Sequence, residues 1–152
     1  MSSMPAFSLP GSDGATHSSK SLAGKPYVLY FYPRDMTPGC TIESCEFRDN
    51  QAGLKKLGVT VLGVSTDSLD SHAKFIAKEK LNFVLLADEE HKLAEALAVW
   101  KEKNMYGKVS MGIERSTFLV DAKGQIVREW RKVKVDGHVA EVVAAAKELA
   151  KA

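Results

Sequence analysis

Along the chain, short apolar runs alternate with stretches whose apolar residues recur at helical spacing. Tyr27 to Tyr32 is an uninterrupted apolar run, as expected of a strand buried on both faces. Glu46 to Leu57 then reads as a helix, and Gly58 stands at its C′ position. Thr60 to Ser65 predicts a second central strand. Asp67 or Ser68 is placed to cap a helix running to about Lys80. Phe83 to Leu86 predicts a third strand, and Asp88 a cap for a helix over Glu89 to Val99. Trp100 to Glu114 is polar and lacks a clear period. Ser116 to Val120 and Gln125 to Trp130 read as two strands joined by Asp121-Ala122-Lys123-Gly124, a hairpin signal. Asp136 or Gly137 opens a C-terminal helix reaching about Lys151. Ahead of all these, Phe7 to Lys20 is interrupted by Gly11-Ser12-Asp13-Gly14 and predicts an N-terminal hairpin.

Strands alternating with helices imply an α/β fold with a partly parallel central sheet and helices on its faces. The closing hairpin adds an antiparallel pair, making the sheet mixed and compatible with a thioredoxin-like fold. A chain of 152 residues fits one domain, residues 1–152, and is long enough to bury a sizeable core. There is no internal repeat, low-complexity tract or linker.

Charge excludes some partners. The formal net charge is +2 and the basic residues are scattered, so no nucleic-acid patch is expected. The first residues, Met1 to Phe7, have neither a charged n-region nor an apolar h-region. The longest apolar run is far shorter than the roughly 20 residues a membrane span needs. These features predict no membrane association and a cytoplasmic location. His17, His72, His91 and His138 show no metal-ligand spacing among themselves or to the cysteines. No glycine-rich phosphate loop appears, so neither a metal nor a nucleotide cofactor is implied. Trp100 and Trp130 read as packing residues.

The chemistry concentrates in Tyr32-Pro33-Arg34-Asp35-Met36-Thr37-Pro38-Gly39-Cys40-Thr41-Ile42-Glu43-Ser44-Cys45. Cys40 falls where a strand ends and a helix begins. A thiol there faces free backbone N–H groups and the positive end of the helix dipole, both of which favour the nucleophilic thiolate. Cys45, five positions on, is the only other cysteine. The plainer reading is a turn at Pro38-Gly39 followed by a small buried residue, since free cysteine is among the most buried types.

Pro33-x-x-x-Thr37-x-x-Cys40 resembles the active-site signature of peroxiredoxins, the thiol peroxidases. The run Thr37-Pro38-Gly39-Cys40-Thr41-x-Glu43-x-Cys45-x-Phe47-Arg48-Asp49 is similar to one branch, the bacterioferritin comigratory protein or Q-type peroxiredoxins. The likeness continues at Trp100-x-x-Lys103-x-x-Tyr106-Gly107-Lys108 and from Gly112 to Asp121, in the family's order. Met36 departs from the pattern, standing where relatives often carry a polar or small residue, and bears on access to Cys40.

The resemblance implies a role for each residue. Cys40 is the peroxidatic cysteine. Thr37 hydrogen-bonds the peroxide or the thiolate, with helix capping as its plainer role. Pro33 shields the sulfur from water, and it also ends the strand. Arg115 stabilises the thiolate and the departing oxygen with its fork of donors. Glu43 orients Arg115 or caps the helix. Cys45 is the resolving cysteine, attacking a Cys40 sulfenic acid to give an intramolecular disulfide that thioredoxin or a similar thiol reductant opens. A monomer is expected.

Two other classes compete on the residues alone. A thioredoxin-like thiol–disulfide oxidoreductase suits the fold, but that chemistry uses Cys-x-x-Cys and four residues separate the sulfurs here. A non-enzymatic binding or chaperone module predicts no catalytic loss when Cys40 is replaced.

Overall fold

A computed structural model describes residues 2–151. Its elements are β1 (Ser8–Pro10), β2 (Thr16–Ser18), α1 (Ser19–Leu22), β3 (Tyr27–Phe31), α2 (Pro38–Lys56), β4 (Thr60–Ser65), α3 (Leu69–Glu79), β5 (Val84–Ala87), α4 (Lys92–Ala96), β6 (Trp100–Met105), β7 (Lys108–Ile113), β8 (Ser116–Val120), β9 (Ile126–Trp130) and α5 (His138–Lys151). The central sheet has the order β5-β4-β3-β8-β9. β4 pairs in parallel with β3 and β5, whereas β8 pairs antiparallel with β3 and β9. It is the mixed, helix-flanked sheet of the thioredoxin-like architecture, preceded by the β1–β2 hairpin.

All five residues of β3 are buried, because the strand is central and covered on both faces. Its side chains still alternate. Val28 and Tyr30 join a core with Phe47 and Leu54 of α2, Phe75 of α3, and Val139 and Val142 of α5. Tyr27, Leu29 and Phe31 join a second core with Leu93 of α4, Ile113 and Phe118. Gly63 of β4 is required by the first core. A Cβ there would lie 2.8 Å from the Tyr30 ring and 2.6 Å from Leu85. The space admits Tyr30, whose ring stacks on Phe47 at 4.6 Å and whose hydroxyl bonds Ser44 at 2.8 Å. These contacts clamp the middle of α2 to the sheet.

Three expectations need correction. The α2 helix starts at Pro38, not at Glu46, so Cys40 and Cys45 share one helix. Proline at a first helical position loses no hydrogen bond and is pre-set for the helix. The helix expected over Glu89 to Val99 shrinks to Lys92–Ala96, with His91 in the left-handed region at its start. Asp88 does cap it, but its carboxylate accepts from Leu93 and Ala94, so the intervening residues loop out. The polar stretch from Trp100 is the two-stranded β6–β7 ribbon, with Trp100 opposite Ile113. It stands apart from the main sheet and much of it is exposed, so it carries no in–out alternation to read. The short α1 was not foreseen either. Ser68 rather than Asp67 caps α3, accepting from the Ser71 amide.

Candidate active site

The chain leaves the buried end of β3 at Tyr32, turns through Pro33 to Met36, and enters α2. The turn is held from below. The Tyr32 hydroxyl donates to the buried Asp35 carboxylate at 2.5 Å, Ser71 donates to the same carboxylate at 2.7 Å, and His72 Nδ1 lies 2.7 Å from it. The Asp67 carboxylate accepts from the Asp35 amide at 2.8 Å. Because His72 Nε2 faces the Leu86 carbonyl, which can only accept, that nitrogen carries a proton. This lattice over-determines the turn and holds Met36 at φ 63, a left-handed conformation that a non-glycine side chain adopts at some cost. Sequence reading missed Asp35 and His72. Their pairing joins a loop to a helix across the sheet end, which spacing does not reveal.

Thr37 occupies the N-cap position of α2 but makes no side-chain cap bond. Its hydroxyl donates to the Arg34 carbonyl at 2.9 Å. The capping role is therefore absent, and the lone pairs of Oγ1 are left to accept from elsewhere. The first intrahelical bond runs from the Thr41 amide to the Thr37 carbonyl. The amides of Gly39 and Cys40 precede it, among the donors that a helix start leaves free.

Cys40 is the third residue of α2, 1% exposed, with its sulfur 3.2 Å from Arg115 Nη2. Seventy-five positions separate the two residues. The β3–β8 register closes that gap: Phe31 pairs with Ser116, so Tyr32 and Arg115 leave the sheet side by side. Gly39 completes the fit. A Cβ at Gly39 would come 3.2 Å from Arg115 Nη2, so a larger residue would press on the guanidinium.

Glu43, one turn on, is fully buried and accepts from Arg115 Nη1 at 2.6 Å. It is not in the capping position. Its Oε1 takes the guanidinium, while Oε2 has no hydrogen-bond partner among the described residues and lies 3.8 Å from His138 Nε2. Burial pushes the Glu43 carboxyl up to about 7, against the lowering pull of Arg115. Burial, followed by the nearby Arg115 charge, holds His138 down at about 4. His138 also meets Thr117 Oγ1 at 2.8 Å. Thr117 and His138 were not singled out from the sequence, because each looks like an ordinary core position of its own element.

Pro33 is half-buried immediately after β3. Cys45 is half-buried, and both cysteines are free thiols. Its sulfur faces Glu79 rather than Cys40, at 3.6 Å from Oε1. Burial pushes the Cys45 thiol up, reinforced by the Glu79 hydrogen bond. A cavity of about 700 Å³ lies elsewhere, bordered by Phe7, Leu9, Leu69 and Leu93, and none of the candidate residues lines it. Among the described residues no cluster of His, Cys, Asp or Glu is arranged to hold a metal, and no helix is long and apolar enough to cross a membrane.

The arrangement presents a buried sulfur at a helix start, under a guanidinium fixed by a carboxylate. It can hold negative charge on the sulfur and on an atom bonded next to it. Comparison with known proteins points the same way. The AhpC/TSA family model matches residues 2–129. Peroxiredoxin Bcp of Bacillus subtilis is 52% identical over 145 residues, covering 95% of this chain and 92% of that protein. Peroxiredoxin Bcp of Escherichia coli K12 is 46% identical over 134 residues, covering 88% and 86%. The bacterioferritin comigratory protein of Xanthomonas campestris, solved in trapped intermediate and ligand complexes bearing on alkyl peroxide reduction, superposes with a TM-score of 0.90. It is 47% identical over 95% of this chain and 92% of that one.

Proposed function

The chain belongs to the AhpC/TSA family, and from that premise we propose a residue-level reading of its activity. It is a peroxiredoxin, a thiol-dependent peroxidase, and its peroxidatic residue is Cys40. One observation carries the assignment: the Cys40 sulfur is buried in the first turn of α2 with Arg115 Nη2 at 3.2 Å.

The thiolate attacks the terminal oxygen of a hydroperoxide. The S–O bond forms, the O–O bond breaks, and the leaving alkoxide or hydroxide takes a proton to become alcohol or water. Arg115 bridges the sulfur and the oxygen where charge develops. The Thr37 hydroxyl, its proton committed to the Arg34 carbonyl, accepts the peroxide proton and so aims the O–O bond. Glu43 holds the guanidinium in that pose. Pro33 limits water at the sulfur. Cys45 then resolves the sulfenic acid: the S–S bond forms, the S–O bond breaks, and the oxygen leaves as water with the thiol proton. A dithiol reductant of the thioredoxin type reopens the disulfide by exchange. The substrates are hydrogen peroxide and organic hydroperoxides. Residues 1–152 act as one cytoplasmic, monomeric domain.

The test is peroxide consumption with several peroxides and several thiol reductants. Cys40→Ser should abolish turnover with all of them, because a hydroxyl without an adjacent base is a poor nucleophile at neutral pH. Retained turnover would remove Cys40 from the role. Strong insulin reduction with slow peroxide oxidation would favour the disulfide-oxidoreductase class instead.

A further inference from the structure

We propose that Arg48 and Glu79 form a latch on the Cys45 turn of α2, and that this latch sets how fast the oxidised site closes its disulfide. The inference rests on Cys45 being the resolving partner of Cys40.

Both cysteines lie on α2. Five helical positions give a rise of about 7.5 Å and a rotation of about 140°, which places the Cα atoms roughly 8 to 9 Å apart. A disulfide needs them within about 7 Å. The helix between them must open before the bond can form. Beside the Phe47 stack on Tyr30 and the Ser44–Tyr30 bond, opening is resisted by three hydrogen bonds that the Cys45 turn makes outside its own helix. The Cys45 thiol donates to Glu79 Oε1 at 3.6 Å. Arg48 Nη1 donates to the Glu79 carbonyl at 2.6 Å. Asn82 Nδ2 donates to the Arg48 carbonyl at 3.3 Å. All three tie residues 45–48 to the end of α3 and the segment after it, more than thirty positions away. None touches Cys40 or Arg115.

Glu79 is therefore gripped at both ends. Its carboxylate holds the thiol proton of Cys45, and its carbonyl is held by Arg48. Cys45 cannot swing toward Cys40 until the sulfur leaves the carboxylate. The Arg48 bond is charge-assisted and half-buried, among the stronger kinds of hydrogen bond. Arg48 and Glu79 are positioning residues in this scheme: they act on the resolving sulfur's freedom, not on peroxide.

Closure competes with a second oxidation. A sulfenate that waits can attack another hydroperoxide, forming a second S–O bond, releasing alcohol and ending as a sulfinate. A tight latch prolongs the wait, and a loosened one shortens it. Loss of one charge-assisted bond changes an opening equilibrium by about tenfold or more.

The measurement is rapid mixing with one equivalent of peroxide, quenching by alkylation, and mass spectrometry of the Cys40–Cys45 peptide. It is paired with the peroxide dose that inactivates the enzyme while thioredoxin, thioredoxin reductase and NADPH turn it over. Glu79→Ala and Arg48→Ala should each close the disulfide about tenfold faster and withstand a correspondingly higher dose. Sulfenic acid formation should keep its wild-type second-order rate. Glu79→Gln retains an acceptor oxygen and should fall between wild type and Glu79→Ala. It and Arg48→Lys serve if an alanine variant does not fold. Wild-type closure rates in the folded variants would overturn the latch while leaving Cys45 as the resolving residue. Absence of any Cys40–Cys45 disulfide in the wild-type protein would remove the resolving role itself, and the latch with it.

Discussion

Arg115 touches both the Cys40 sulfur and the carboxylate behind it, one nitrogen to each. An ammonium is a single point charge and cannot fill both positions. Arg115→Lys should keep the fold and slow peroxide reduction by about 10²- to 10³-fold, the usual loss for one transition-state donor. Stopped-flow oxidation of the reduced variant measures this, and a wild-type rate would contradict it. Glu43 makes a second prediction through pH. Its carboxyl is raised to about 7 in the folded protein, against about 4.3 in an unfolded chain. Between those values the folded state holds a proton that the unfolded state has lost. Stability from this group is full below about 4.3 and falls as pH rises through 7. Glu43→Gln removes the dependence. The stability of Glu43→Gln relative to wild type should therefore climb with pH by about 1.4 kcal/mol per unit over that window. Denaturant unfolding of both proteins from pH 4.5 to 8 reads the difference, and a flat difference would place the Glu43 carboxyl in its ordinary range. The residue-scale chemistry was legible where it is local: Cys40, Thr37 and Pro33 sit in one run. Asp35, His72 and His138 were not, because their partners come from other elements.

The α2 helix carries both cysteines. Its first turns are held by the Glu43–Arg115 pair and the Ser44–Tyr30 bond. Beyond them the fully buried Phe47 and Leu54 pack it onto the sheet. If Cys40 and Cys45 pair, the helix between the two sulfurs has to open, and the buried aromatic stack of Phe47 on Tyr30 would oppose further spread. Hydrogen exchange should show amides from Thr41 to Arg48 losing protection in the disulfide form, with Gln51 to Lys56 remaining protected in both. Equal protection of Thr41 to Arg48 in the two redox forms would show that the helix stays intact. At this scale the sequence was readable where one period dominates. The β3, β4, β8 and β9 strands show it, and so do the ends of α2 and α3, marked by Gly58 and Ser68. It misled where polar residues line both faces of a strand, as in the β6–β7 ribbon. It misled again where a cap acts at a distance, as Asp88 does for α4.

At the scale of the whole molecule, the site exists only because the sheet aligns distant segments. The antiparallel β3–β8 register sets Arg115 beside the turn that leads to Cys40, and a slip of one residue would point it to the other face. That alignment was the least legible feature, since register depends on pairings that no local pattern reports. It also makes the reduced site part of the molecule's stability. A Cys40–Cys45 disulfide would close a loop of about six residues, for which chain entropy predicts about 2 kcal/mol of stabilisation. Against that would stand the opened turns of α2, the buried Glu43–Arg115 pair and the Tyr30–Ser44 bond, which such an opening would give up together. A lost hydrogen bond costs about 0.5 to 1.5 kcal/mol, and one to a charged group about 1.5 to 3 kcal/mol. The losses exceed the gain, so the oxidised protein should unfold more easily than the reduced one, the reverse of the usual effect of a crosslink. A net deficit of about 2 kcal/mol corresponds to a melting temperature lower by roughly 4 to 8 °C in a domain of this size. The same deficit, carried round the thermodynamic cycle linking folding and oxidation, would make the disulfide easier to reduce, which suits a bond that a thiol reductant would open every turnover. Calorimetry of the two redox forms under identical conditions decides the matter. A higher melting temperature for the oxidised form would mean that the crosslink forms without dismantling the Cys40 pocket.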